Sequence, residues 1–293
     1  MVNKSYRRGA MEFHVGRSAV STSPIAPVPG ERGSSVNRRG SGASAARQPV
    51  AGAPTSDALI QTFNSWAFKR EHPDNVERLR SLAHEAIAQH RPLSFVLYWG
   101  RGPRESFAPP ERQCLDYLSQ LARRVASLHA PGADVTIIFT DTHAMLNGYG
   151  ETSTRRYFAE IEREATKRDF KCCYLSDVVA WAEDRIDAER AEEAPSAEIL
   201  SQLTVSAAKW YRGEGEYEDG ARRYYKSNMI EKQAVEAVFK ESVFVTFNGS
   251  EHRALFPDRM PIFFMYSIRR GVSVKPWFMA STPESAIAEP ECA

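Results

Sequence analysis

The 293-residue chain is poor in cysteine, and neither its cysteines nor its histidines fall in a spacing that carries a familiar chemistry. Cys114, Cys172, Cys173 and Cys292 form no CxxC pair, which excludes a zinc ribbon or a disulfide framework. Adjacent Cys172 and Cys173 would point to opposite faces of a strand, so buried, inert thiols are the expected role. The seven histidines include no HExxH and no His-x-His, and a metal site is not expected. Phosphate-binding fingerprints are missing too, with neither the Gly-Lys-Ser/Thr end of a Walker A loop nor a GxGxxG. No apolar run approaches the ~18–20 residues that span a bilayer, and the N-terminus lacks the hydrophobic stretch of a secretory signal. A soluble, cytoplasmic protein with no membrane partner is therefore expected. An excess of one charge is also lacking, since the formal net charge is +1. Residues 1–54 hold eight Lys/Arg against Glu12 and Glu31, so the rest of the chain carries a net −5 and no nucleic-acid partner is expected of it.

What is present is the material of an ordinary soluble protein, 42% hydrophobic and 26% charged residues, enough for one sizeable core. Residues 1–54, rich in Ser, Gly, Ala, Pro and Arg, show no sustained apolar period and read as a disordered basic tail; without an amphipathic stripe they make a poor transit peptide. Residues 55–280 read as a single catalytic domain, and 281–293 as a second disordered tail. Within the domain the pattern alternates. Helices are expected over Ala58–Phe68, from Val76 to Arg91-Pro92, from Pro109-Pro110-Glu111 to Leu128, and over Thr154–Arg168. Strands are expected at Leu93–Trp99, Val135–Phe139 and Lys171–Leu175. The fold class is α/β, a Rossmann-like and mainly parallel sheet with flanking helices. Later strands, Ser242–Phe247, Ile262–Ile268 and Val272–Phe278, are punctuated by Pro257, Pro261 and Pro276 and are expected to add in antiparallel fashion.

Ligands of such sheets bind beyond the carboxyl ends of the strands, so the loops there are the places to search. The central strand runs into Thr140-Asp141-Thr142-His143. In an extended segment Asp141 and His143 project to the same side, and both are catalytic candidates for proton transfer; the competing role for Asp141 is to cap the following turn. The first strand runs into Gly100-Arg101-Gly102-Pro103-Arg104, where arginine forks and exposed amides suit a phosphate or carboxylate. Trp99, Lys226, Asn248, His252, Lys275 and Trp277 complete the substrate-binding candidates. On the long helix expected over Asp219–Lys240, the polar residues Arg222, Arg223, Lys226, Asn228 and Glu231 could face solvent or a pocket, and charge runs of this kind ordinarily face solvent.

The order of these landmarks is similar to that of the isonitrile (isocyanide) synthases, the family that includes the pyoverdine-chromophore-type bacterial enzymes and the yeast dityrosine enzyme. The likeness spans roughly residues 80–280 and rests on particular positions: Pro92 before an apolar strand, a helix bearing Glu111, Leu115 and Leu118, the turn Pro131-Gly132-Ala133, Asp141 at a strand end, and Pro276-Trp277. Thr140-Asp141-Thr142 stands where the family reads Ser-Asp-Gly, and Lys275-Pro276-Trp277-Phe278 where it reads Thr-Pro-Trp-His, so Asp141 and Trp277 are the positions carried across. The resemblance implies a secondary-metabolism enzyme without cofactor that turns the α-amino group of an amino acid into an isonitrile. The carbon donor would be the sugar phosphate ribulose 5-phosphate, and a downstream oxygenase of the same pathway a partner. Two other readings remain open: an amino-acid or aminoacyl-tRNA-dependent transferase of Rossmann-like fold, and a noncatalytic phosphometabolite-binding module.

Overall fold

A computed structural model describes residues 54–66, 68–100, 107–265, 267–269 and 272–274. The tails expected over 1–54 (apart from Pro54) and 281–293, the Arg101/Arg104 loop, Lys275 and Trp277 lie outside the described residues.

Helix α1 (Ser56–Gln61) is capped by Thr55, whose hydroxyl accepts the Ala58 amide. It is shorter than the expected Ala58–Phe68. Leu59, Phe63 and Phe68 are all buried, and on a continuous helix Phe68 would lie about 140° around the axis from Phe63; the turn after Gln61 brings both rings to the core. There follow α2 (Val76–Ala88), β1 (Leu93–Trp99), α3 (Pro109–Ala126), β2 (Ala133–Phe139), α4 (Asp141–Leu146), α5 (Glu151–Thr166), β3 (Lys171–Tyr174), α6 (Leu175–Trp181), α7 (Ala188–Ala191), α8 (Ala197–Trp210) and α9 (Tyr217–Val238). The chain then forms β4 (Ser242–Thr246), a 3-10 turn at Ser250–Leu255, β5 (Ile262–Phe264), β6 (Ser267–Arg269) and β7 (Val272–Val274).

The main sheet has five strands in the order β3-β2-β1-β4-β5, and every neighbouring pair is parallel. This is the strand order of the doubly wound, Rossmann-like class. The C-terminal strands depart from the antiparallel addition that their sequence suggests. Instead β4 and β5 join in parallel, because the connection over 247–261, with its 3-10 turn, is long enough to return the chain to the same edge. The strands β6 and β7 pair antiparallel with each other, apart from the main sheet.

Alternation along the strands divides the core in two. Phe95, Leu97, Trp99, Val135, Ile137, Phe139, Val243 and Val245 join side chains of α1, α2, α3 and α5 in one apolar cluster. Val96, Ile138 and Phe244 point the other way, where they meet Leu175 and Val178 of α6 and Ala234 and Val235 of α9. The second face also carries the site.

Candidate active site

The sheet's order reverses between β1 and β4, and the carboxyl ends of those strands leave a crevice there. A cavity of about 540 Å³ fills it, walled by Tyr98 of β1, Phe244 and the chain from Val245 to Asn248, His143 of α4, Tyr224 and Asn228 of α9, and Leu203 and Trp210 of α8. Most of this lining is apolar or aromatic, with polar atoms at a few points, as small-molecule sites commonly are.

The end of β2 sets His143 in place. The Thr140 amide and hydroxyl both donate to the Trp99 carbonyl, at 3.3 and 3.0 Å, which holds the ends of β1 and β2 together. The chain then turns straight into α4, and this overturns the extended segment expected for Asp141 and His143. Residues two apart on a helix diverge by about 200°, so the two side chains separate. Asp141 accepts the Ser176 amide at 3.1 Å and the Ser176 hydroxyl at 2.6 Å. It thereby caps α6, whose own N-cap residue, Tyr174, supplies no side-chain cap. His143 turns toward α9, where its Nε2 lies 2.5 Å from Glu231 Oε2. The far end of α4 is fixed by Gly148 at φ 81°: a Cβ there would lie 2.7 Å from the Arg212 backbone, whose amide donates to the Asn147 carbonyl at 2.8 Å.

Glu231 is 1% exposed and accepts two further hydrogen bonds, from the Thr142 hydroxyl at 2.6 Å and the Ser227 hydroxyl at 2.8 Å. Burial opposes its charge, but the attraction and hydrogen bond of His143, with those of Thr142 and Ser227, prevail and hold the carboxyl below its usual range. With Glu231 ionised, the shared hydrogen bond is donated by His143 Nε2. Two phenols flank the imidazole: the Tyr224 ring centre lies 4.8 Å from that of His143, and the Tyr98 ring centre 6.1 Å. Burial first, and the charge of Glu231 second, raise both phenols well above their usual range, so they remain protonated. The Tyr98 hydroxyl and Asn228 Oδ1 are buried and have no hydrogen-bond partner among the described residues.

Of the residues singled out in the sequence, His143, Asn248 and His252 lie on the cavity wall. Trp99 does not: it belongs to the opposite face, where its Nε1 donates to the Tyr157 hydroxyl at 3.2 Å, and that hydroxyl donates to Glu111 Oε1 at 3.2 Å. Lys226 is exposed and pairs with Glu192 at 2.7 Å, and Asp141 is not part of the lining. Tyr98, Tyr224, Asn228 and Glu231 are members of the site that the sequence reading misses. Asn228 and Glu231 are expected to face solvent, yet each is 1% exposed. The signal lies in the spacing: Tyr224, Asn228, Glu231 and Val235 recur at helical intervals and continue the apolar stripe of α9. Among the described residues no group of His, Cys, Asp and Glu could hold a metal ion, and no helix is long and apolar enough to cross a membrane.

No protein-family profile and no curated sequence matches the chain. Solved structures do. The tyrosyl-tRNA synthetase of Archaeoglobus fulgidus, crystallised with L-tyrosine, superposes on 70% of this chain and 63% of its own at 12% identity and a TM-score of 0.46. The PvcA protein of Pseudomonas aeruginosa superposes on 76% of this chain and 86% of its own at 15% identity and a TM-score of 0.50. The fold of this chain is thus the α/β, Rossmann-like fold of PvcA.

Proposed function

We propose that the chain is a biosynthetic enzyme of the isonitrile-synthase kind, which converts the α-amino group of an amino acid into an isonitrile with a pentulose phosphate as carbon donor. The observation that carries this reading is the His143–Glu231 pair set in the wall of the cavity at the strand-order reversal. Joining an amine to a sugar carbonyl begins with removal of a proton from the ammonium, and loss of the carbonyl oxygen as water requires a proton in return. An imidazole whose Nε2 is held by an ionised, buried carboxylate is suited to both, since the carboxylate fixes the ring and stabilises the imidazolium that forms. The fold shared with PvcA and the sequence likeness to the isonitrile synthases point the same way. The rings around the cavity suit an amino acid with a large apolar side chain. Asn248 and His252 stand at the wall as substrate contacts, and Arg101, Arg104, Lys275 and Trp277 keep the roles their sequence suggests toward the sugar phosphate and the substrate.

The test is direct. The protein is incubated with the amino acids and ribulose 5-phosphate, and mass spectrometry is used to seek an amino acid whose amine has become an isonitrile. Such a product, dependent on the sugar phosphate, supports the reading. Ligand-dependent melting without turnover on any amino acid supports the binding module instead.

A further inference from the structure

A glycine in the first turns of α9 seats one wall of the cavity. Glycine is a weaker helix former than alanine, and its place within a helix calls for a packing reason. At Gly220 the reason is Tyr211. A Cβ at Gly220 would lie 3.0–3.1 Å from Cε2, Cδ2 and Cζ of the Tyr211 ring, and one at Gly213 would lie 2.6–2.8 Å from its hydroxyl, Cζ and Cε2. Two residues without side chains thus let the ring lie against backbone. The ring is tethered there as well: its hydroxyl donates to the Glu214 carbonyl at 2.6 Å and accepts from Arg223, whose guanidinium carbon lies 5.7 Å from the ring centre. Tyr211 is buried, and both it and Gly220 belong to the cavity lining.

The place of this wall follows from helix geometry. Gly220, Tyr224 and Asn228 line the cavity at intervals of four, so they share one face of α9. Tyr224 stands beside His143, their ring centres 4.8 Å apart, and Gly220 lies one turn nearer the helix N-terminus, about 6 Å along the axis. The facing helix agrees: the Arg212 amide, next in the chain to Tyr211, donates to the carbonyl of Asn147, four residues beyond His143 at the end of α4. Tyr211 therefore stands about one helical turn past the imidazole. A ligand whose reacting group is at His143 and whose body runs along α9 meets Tyr211 with its far end.

We propose that Tyr211, seated on Gly213 and Gly220, is the size-selecting wall of the cavity and limits the length of the ligand side chain that the site accepts. Bulk at position 220 shortens the cavity, and truncation at position 211 lengthens it. The inference rests on the isonitrile reading only in taking His143 as the reacting end.

Calorimetry on the full chain with 4-methylphenol and 4-phenylphenol, two neutral probes of one head and different length, tests it without amino acid or sugar phosphate. Tyr211→Ala raises the affinity for 4-phenylphenol relative to 4-methylphenol by about tenfold or more over wild type, in keeping with the discrimination that apolar pockets achieve, and Gly220→Ala lowers the same ratio severalfold. Opposite shifts set a wall apart from a merely structural contact, whose loss weakens both probes alike. Gly220→Ala introduces a stronger helix former, so it serves even where Tyr211→Ala does not fold. A ratio unmoved in Gly220→Ala, a shift in the same direction in both variants, or a wild-type protein that binds neither probe overturns the assignment. Product mass is a separate readout: ratios that shift as stated without isonitrile keep the wall and remove the proposed reaction, and isonitrile with unmoved ratios does the reverse.

Discussion

The two faces of the parallel sheet are built from the same strands and have different contents. On the face covered by α1, α2, α3 and α5, side chains pack ring on ring: Phe63 meets Phe95 edge-on at 5.3 Å and Phe263 at 5.2 Å, and Phe139 stacks on Phe158 at 4.8 Å. Its polar members, such as Glu111 and the Trp99 indole, are tied into the Tyr157 hydroxyl. On the face covered by α6 and α9 the apolar cluster gives way, toward the carboxyl ends of the strands, to an ionised carboxylate, an imidazole, two phenols and an amide around a cavity. One face therefore holds the molecule together, and the other gives up part of that packing to keep polar atoms poised, as binding sites commonly do.

Substitutions on the two faces should fail in different ways. Phe158→Ala, fully buried against Phe139, should lower unfolding free energy by ~3–5 kcal/mol in urea titrations and leave turnover per remaining folded molecule intact. Glu231→Gln should cost ~1–3 kcal/mol by depriving His143, Thr142 and Ser227 of a charged acceptor. Its pH dependence has a definite sign. The folded carboxyl titrates below its usual range, so Glu231 contributes stability that is fully present above the unfolded carboxylate value and fades as pH falls through the lower folded one. Acid titration of stability should accordingly be shallower in Glu231→Gln than in wild type, and equal slopes would contradict the ionised pair. Asp141→Asn should cost ~0.5–2 kcal/mol, the worth of a helix cap. Lys226→Ala should change stability by less than ~0.5 kcal/mol, as for other exposed pairs, and leave ligand affinity unaltered. A thiol-reagent assay at pH 8 gives the smallest signal: Cys172 and Cys173, both pushed up to about 12 chiefly by burial, should stay unmodified in the native protein.

The apolar face is the one legible in the amino-acid sequence. Runs such as Leu93–Trp99 and Val135–Phe139 can hardly be anything but buried strands, and the spacing of Leu115, Leu118, Leu121 and Val125 alone marks α3. The site is less legible because its parts contradict local rules. Asn228 and Glu231 lie among Arg222, Arg223 and Lys226, and composition alone puts all five in water; only tertiary packing reveals that α9 buries two of them. Asp141 and His143 share a side only if the strand runs on past Phe139, whereas the helix that starts there sends them to different partners. Nor can the direction of β4 and β5 be read, since a strand's own residues do not record which way its neighbour runs.

Our proposal gives proton transfer in this site to His143, backed by Glu231, rather than to Asp141, and the two residues can be set against each other in one experiment. Isonitrile formation per folded molecule is measured beside the melting temperature on the same preparations of wild type, His143→Gln and Asp141→Asn. His143→Gln should lose turnover by ~10²–10⁴-fold while remaining folded, and Asp141→Asn should melt earlier with its turnover per folded molecule largely kept. Full turnover in His143→Gln, or a collapse of turnover in Asp141→Asn without loss of stability, would contradict that assignment.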